Sequence, residues 1–398
     1  MHVLTSTDRI TFDEALAAAR EGVISQETAS TLIRASEGAE LASLMKAASE
    51  LRDRVKGRNV SFSKKIFIPL TNLCRDYCGY CTFRKDPDQE GAHTMMPDEV
   101  LALAEAGARL GCKEALFSLG DRPEAVFSEM RDALARLGHR TTLSYLVDMC
   151  RRVLNETGLL PHANPGLMAR NNIETLRQTN PSLGLMLESV SERLLLAGMP
   201  HADAPDKRPA LRIKTIEEAG RLRVPFTTGI LIGIGETLDE RIASLFAIRE
   251  VNERYGHIQE VIIQNFRAKP LIPMHDHPEP ALTDLARTIA VARLILDDMN
   301  IQAPPNLSDE NYPFLIGAGL NDWGGISPLT PDHINPEKPW PHIEALRSRT
   351  HAAGYELRER LCIYPEFVFK DKFLDANLAP RVREMADPSG FARVKDDG

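Results

Sequence analysis

Three cysteines fall within eight positions of the stretch TNLCRDYCGYCTFRK, Thr71 to Lys85. Cys74, Cys78 and Cys81 make up half of the six cysteines in a chain of 398 residues. Clustered thiols in a chain otherwise poor in cysteine point to metal or redox chemistry rather than to a disulfide framework. Two metal chemistries compete. Structural zinc is tetrahedral and fully ligated, usually by paired cysteine elements. A fourth ligand here would have to be Cys112, Cys150, Cys362 or a histidine such as His93, and no second paired element exists. An iron–sulfur cubane can instead be held by three thiolates, with one iron left open to another ligand. The C-x3-C-x2-C spacing lets one short loop wrap such a group corner by corner.

Other side chains could serve the same site. Glu188, in LMLESVSERL, ends an apolar run, and burying a carboxylate there is costly unless it is paired. Gly120 and Asp121, in SLGDRPE, read as a turn with an acid cap or as a ligand-facing turn. GILIGIGE, 229–236, is a glycine-rich strand without the Gly-Lys-Ser/Thr continuation of a phosphate loop. In IQNFRAKP, Gln264, Asn265 and Arg267 could bind polar groups of a substrate or satisfy one another. His275 and His277, in MHDHP, look like a metal pair, but alternate residues of an extended segment face opposite ways and prolines flank them. They read as a loop.

The elements that must position these residues fall into three parts. Residues 1–60 read as a helical extension, with Thr11 as N-cap, Glu14 three residues on, and Gly57 as a stop. From Phe62 short apolar strands alternate with longer amphipathic helices. Strands are predicted at 65–70, 114–119, 158–164, 183–189, 226–234 and 258–266, with weaker ones at 300–306 and 323–329. Helices are predicted at 97–111, 123–137, 141–156, 166–178, 209–223, 238–254 and 281–299. Strands each followed by a helix imply right-handed βαβ units, and about eight of them predict an α/β fold, a (β/α)8 TIM-type barrel over 61–370. Such barrels build active sites from loops at the carboxyl ends of their strands, which is where the cysteines fall. Residues 371–398 read as a charged, frayed C-terminal tail.

Composition narrows the function. The chain is 43% hydrophobic and 26% charged, an ordinary globular balance. A net charge of −8 argues against a broad electrostatic grip on nucleic acid or acidic lipid. No apolar run approaches the ~20 residues of a membrane span, and the first residues lack the apolar block of a secretory signal. A cytoplasmic location with reduced thiols is expected.

CRDYCGYC has the C-x3-C-x-aromatic-C signature and resembles the radical S-adenosylmethionine (SAM) family. The resemblance implies a 4Fe–4S cluster held by Cys74, Cys78 and Cys81, with the open iron binding SAM. It implies SAM-binding roles for Tyr80 near the adenine, for Gly120–Asp121 in place of the family's Gly-Gly-Glu, and for Glu188 with Ser191 and Arg193. Asn164 is a weaker member of that set. GILIGIGE follows the family's G-x-I-x-G-x-x-E element through Gly229, Gly233 and Glu236, with Leu231 for Ile.

Five further blocks, FIPLTNLCRDYCGYCTFRK, LFSLGDRPE, LLPHANPG, IIQNFRAKP and WGGISPLTPDHINPEKPWP, resemble one branch of that family, the FO synthases of the first-subunit type. This implies closure of the deazaflavin ring of coenzyme F-420 with release of ammonia. It also implies a second subunit that supplies the adduct and an electron donor such as ferredoxin or flavodoxin. Asp322, Trp323 and Ser327 would face the ribityl-pyrimidine. The second FO synthase subunit and related menaquinone-pathway enzymes share the cysteine spacing; a non-catalytic iron–sulfur or zinc module would not explain the later glycine and acid elements.

Overall fold

Gly57, at φ 66°, ends the last N-terminal helix, and two residues on the chain enters β1 (Asn59–Thr71). Period-two alternation sorts this strand. Val60, Phe62, Ile66, Ile68 and Leu70 are buried in the core, while Lys65 and Phe67 face an interior cavity. The computed structural model describes residues 10–393. After β1 come β2 (Glu114–Leu119), β3 (Leu160–Asn164), β4 (Ser182–Gly184), β5 (Phe226–Ile232), β6 (Ile258–Asn265), β7 (Ile301–Gln302) and β8 (Asp322–Ile326). Each pairs in parallel with the next, and β8 and β2 both pair with β1, so the sheet closes into an eight-stranded barrel. The expected fold is the observed one. A further strand, β9 (Glu356–Glu359), pairs with the first residues of β1 outside the closed ring.

The N-terminal residues form α1 (Phe12–Arg20), α2 (Gln26–Leu32) and α3 (Ala39–Lys56). Thr11 and Glu14 make the expected reciprocal cap, with Thr11 N donating to Glu14 Oε2 at 2.9 Å. α3 lies against the barrel wall, where the fully buried Arg52 donates to the Leu320 carbonyl and, at 2.6 Å, to Tyr355 Oη. None of the described helices is long and apolar enough to cross a membrane.

Several elements are shorter than the sequence pattern suggests. The strand expected over 183–189 stops at Gly184, because Glu188 takes a left-handed φ of 66° and keeps only a bridge to Ile230. A non-glycine residue holds that conformation only where its surroundings fix it. The helix expected over 123–137 is a 3-10 turn, Pro123–Ala125, followed by a helix at Ser128–Arg136.

The frayed tail is a correction. Over 371–393 the chain is folded, with Phe373, Leu374, Leu378 and Val382 buried against Leu154 and Leu160. Its charges are surface charges around an apolar stripe; residues 394–398 lie outside the described part. Just before it, Leu361–Tyr364 runs under the barrel. Ser182 Oγ and Gln259 Nε2 donate to the Cys362 carbonyl at 2.7 and 3.0 Å, and Tyr364 N donates to Gln259 Oε1 at 3.1 Å. This plug closes the amino-terminal end and leaves the carboxyl end open.

Candidate active site at the barrel mouth

The cysteine loop is stitched to the end of β2. Gly120 N donates to the Thr71 carbonyl at 2.9 Å and Arg75 N to the Asp121 carbonyl at 3.1 Å. Gly120 is needed for this approach, since a Cβ there would lie 1.9 Å from Leu73 O and 2.6 Å from Cys74 Cβ. Two amides point at the first sulfur: Asp121 N is 3.2 Å and Asp76 N 3.4 Å from Cys74 Sγ. On the far side Tyr77 N donates to Asp203 O at 3.0 Å, Gly79 N to Pro200 O at 2.8 Å, and Met274 N to Gly79 O at 3.1 Å. The MHDHP loop therefore braces the cysteine loop through Met274.

Burial, with Asp76 adding to it, pushes the Cys74 thiol up to about 12, and burial moves Cys78 the same way. Such thiols ionise only against a strong positive charge, which a metal centre supplies. A single zinc ion would draw its sulfurs to about 3.8 Å from one another, given Zn–S bonds near 2.3 Å. Among the described residues, the three cysteines do not converge even within 4.8 Å. The donor set fits a group larger than one ion. Cys112, Cys150 and Cys362 are buried elsewhere and add no fourth ligand to this loop.

Behind the loop stand three buried acids, Asp76, Asp121 and Asp206. Asp121 Oδ2 accepts from Leu167 N at 3.0 Å, while Asp121 Oδ1 and Asp206 Oδ2 are buried without a hydrogen bond. Arg122 Nε and Arg75 Nε approach those two oxygens only to 3.3 Å each. Burial, with Asp206 adding to it, pushes the Asp121 carboxyl up to about 7.

Glu188 is balanced the other way. Lys207 Nζ contacts its Oε1, Arg212 Nη2 lies 3.6 Å from that oxygen, and His201 Nε2 lies 3.3 Å from Oε2. Burial alone would raise its pKa, but Lys207, then His201 and Arg212, outweigh burial and hold the carboxyl well below the usual range. Tyr80 Oη donates to Glu188 and lies 2.9 Å from His201 Nε2.

These groups open on one cavity of about 370 Å³. The structure brings Cys74, Cys78, Cys81, Tyr80, Gly120, Asp121, Asn164 and Glu188 to its wall, together with Gln264, Asn265 and Arg267. Arg267 is held by Glu279 at 3.1 Å, and Asn265 Nδ2 donates to Leu307 O at 3.0 Å.

The other expected residues lie elsewhere. Ser191 Oγ and Arg193 both bind Glu240, at 2.5 and 2.7 Å. Glu236 accepts from Gly233 N and Ile234 N at 2.9 Å each and pairs with Arg241 at 2.8 Å, so it holds its own turn. A Cβ on Gly229 would meet Ile262 O at 2.2 Å and one on Gly233 would meet Pro280 Cγ at 2.5 Å. These glycines serve contacts within the protein. Asp322 is buried beneath the cavity against Arg360 at 2.7 Å, and Trp323 packs on Tyr312 and donates to Thr350 Oγ1 at 3.1 Å. Ser327 caps a turn by accepting from Thr330 N at 2.9 Å.

The later part of the same block reaches the site instead. Trp340 stacks on Phe67 at 5.1 Å, and Thr82 Oγ1 donates to Ile334 O at 2.6 Å. Sequence reasoning also missed Lys207, Arg212 and the buried Lys269, all on the cavity wall. No motif marks them, although an acid within the cysteine motif, Asp76, was open to view.

A closed parallel barrel with a three-cysteine loop at its carboxyl end defines the radical SAM class. Residues 68–248 match the family model described as the radical SAM superfamily. The FeFe-hydrogenase maturase HydG from Carboxydothermus hydrogenoformans has a similar fold, with TM-score 0.70 over 94% of this chain and 85% of that one at 17% identity. A 7,8-didemethyl-8-hydroxy-5-deazariboflavin synthase from Methanopyrus kandleri is 52% identical over 334 residues, 84% of this chain and 100% of that protein. The FO synthase of Streptomyces avermitilis is 50% identical over 393 residues, 96% of this chain. This chain spans 46% of that longer protein. The chain belongs to the radical SAM superfamily and, within it, to the family of FO (7,8-didemethyl-8-hydroxy-5-deazariboflavin) synthases.

Proposed function

We propose that this chain closes the deazaflavin ring of FO for coenzyme F-420 biosynthesis, converting 5-amino-5-(4-hydroxybenzyl)-6-(D-ribitylimino)-5,6-dihydrouracil with release of ammonia. The observation that carries the reading is a loop of three cysteines, with no fourth cysteine beside them among the described residues, above an open cavity at the carboxyl end of the barrel. Cys74, Cys78 and Cys81 would hold a 4Fe–4S cluster, and Tyr80, Gly120, Asp121, Asn164 and Glu188 would surround SAM. Held there, the two would supply radical chemistry at a carbon–hydrogen bond of the substrate. The protein's own share is positioning. Glu188 stays ionised under Lys207 and offers a fixed negative charge, while Asp121 brings to the cavity wall a buried oxygen without a hydrogen bond. Phe67 and Trp340 give the wall a flat aromatic surface for a ring substrate. Lys269, buried at the wall and lowered in pKa by that burial, is the group we assign to protonate the departing amine.

A second subunit would supply the adduct, a ferredoxin or flavodoxin the electron, and the cytoplasm the reducing setting. The half-length match to the Streptomyces enzyme supports such a two-part system. Anaerobic reconstitution should give a brown protein that cleaves SAM, and mass spectrometry should find FO when the adduct is fed. Changing Cys74, Cys78 or Cys81 to Ala should abolish both activities; SAM cleavage by the triple variant would sink the ligand assignment. SAM cleavage with no FO would point to one of the related enzymes. Lys269→Met should keep SAM cleavage but slow FO release, and an unchanged FO rate would remove Lys269 from the reaction.

A further inference from the structure

We infer that the floor of this cavity is a polyol subsite that takes the ribityl chain of the substrate, an inference that rests on the function proposed above. Barrel interiors of this kind are ordinarily filled by branched apolar side chains. Here Lys65, Glu114, His162, Thr227, Glu260 and Gln302 point inward from six different strands and floor the open cavity. All six are buried. Buried polar groups cost stability unless partnered, so a polar floor left open calls for a ligand of matching chemistry.

The charged groups pair among themselves, two cations against three carboxyl groups. Lys65 Nζ donates to Glu114 Oε1 at 2.6 Å, and Arg360 binds Asp322 at 2.7 and 3.0 Å and Glu260 at 3.2 Å. His162 Nδ1 lies 2.7 Å from Ser182 Oγ, and burial lowers its pKa to about 4, so the ring is neutral. With Lys65 and Arg360 already paired, the floor holds no spare cation for a phosphate or a carboxylate. It holds hydrogen-bonding atoms. Among the described residues the side-chain amide of Gln302 has no hydrogen-bond partner, nor have those of Gln264 and Asn164 higher on the wall. Each amide can both donate and accept, as each hydroxyl of a polyol can through its one O–H and its lone pairs.

The WGG stretch makes room for this arrangement. A Cβ on Gly324 would sit 2.2 Å from Gln302 Nε2, and one on Gly325 would sit 2.3 Å from Lys65 Cε. Above the floor the wall turns apolar and aromatic, with Leu116, Ile262, Leu231 and the Phe67–Trp340 stack. A substrate with fused or linked rings and one hydroxylated chain is therefore oriented rings toward the cysteines and chain toward the plug.

The test uses reconstituted holoenzyme and the fluorescence of two compounds, FO and an analogue bearing N-methyl in place of ribityl. Wild type should bind FO about ten-fold or more tightly than the analogue, as expected for one or two well-made buried hydrogen bonds. Gln302→Leu should weaken FO binding by about ten-fold and leave the analogue unchanged. Gln264→Leu makes the same comparison should the first variant fold poorly, with thermal melting as the control. Equal affinity of wild type for both compounds, or equal loss on both in the variants, would overturn the subsite while leaving FO synthesis intact. Failure of SAM-cleaving wild type to make FO from the adduct would overturn the functional reading, and the subsite with it.

Discussion

The mouth and the floor of the barrel are both buried and both polar, but they balance their charges in opposite ways. At the floor every ionised group has its partner within the protein: Lys65 with Glu114, and Arg360 with Asp322 and Glu260. At the mouth Asp121 and Asp206 each keep a buried oxygen that meets an arginine only at 3.3 Å and takes no hydrogen bond, and the thiols are pushed far from ionisation. A self-sufficient floor can recognise a neutral ligand by hydrogen bonds alone. Buried thiols of this kind call for positive charge from outside the chain, which the iron of a cluster and a sulfonium-bearing amino acid would bring.

Breaking the floor should have the largest effect on stability. Arg360→Met leaves Asp322 and Glu260 buried without their cation. Losing one partner of a buried pair costs about 3–5 kcal/mol, so the variant should unfold at much lower denaturant in a urea titration. A loss below about 1 kcal/mol would mean that water reaches these carboxylates, and the contrast with the mouth would collapse.

The mouth is tested next, through its geometry. Gly120→Ala puts a methyl where Leu73 O and Cys74 Cβ already stand, 1.9 and 2.6 Å away. Backbone cannot yield as a side-chain tip can, so the cysteine loop must shift. Iron bound after reconstitution should fall several-fold while the apo-protein's circular dichroism is kept. Full iron loading would show that the stitching of the loop to β2 is dispensable.

Much of this contrast could be read in the sequence, but unevenly. The barrel was legible because apolar strands and amphipathic helices alternate regularly, and the cysteine loop because thiolate spacing is itself the chemistry. The place of Glu188 on the cavity wall was legible because a carboxylate ending an apolar run needs a partner, which Lys207 supplies. Ser191, Arg193 and Glu236 lie off the cavity wall, which sequence proximity could not foretell, because Glu240 and Arg241 hold them. The floor was invisible for a different reason. Lys65, Glu114, His162, Glu260 and Arg360 are scattered over 296 positions by their own numbering, from 65 to 360, and only barrel closure makes them neighbours. β9 and the plug after it are likewise products of tertiary contact, too short to carry a pattern.

A smaller effect sharpens the mouth through pH. Asp121 keeps its proton in the folded protein up to about pH 7, whereas the unfolded chain loses it near pH 4. The folded state therefore binds more protons across that window, and this group's contribution to stability falls as pH rises from about 4 to 7. His162 and His257, both lowered to about 4 by burial, contribute the opposite slope. The informative quantity is the difference between Asp121→Asn and wild type in the apo-protein. The melting temperature of the variant should gain on wild type as pH rises to 7 and level off above it. A constant difference across the range would mean that Asp121 is already ionised, its charge met by Arg122.

The smallest effect marks where the mouth ends. Arg193 and Ser191 share Glu240, and the Arg193 side chain is 39% exposed. An exposed pair of this kind contributes roughly 0–1 kcal/mol. Arg193→Ala should therefore leave SAM affinity and iron content unchanged and lower the melting temperature only slightly. Glu188→Ala, one turn of chain earlier, should weaken SAM binding about ten-fold or more with iron content preserved, since it removes a charge-assisted contact inside the cavity. Should Arg193→Ala weaken SAM binding as much as Glu188→Ala, the boundary drawn here between cavity wall and outer loop would be misplaced, and the Glu240 pairing would have to open when SAM binds.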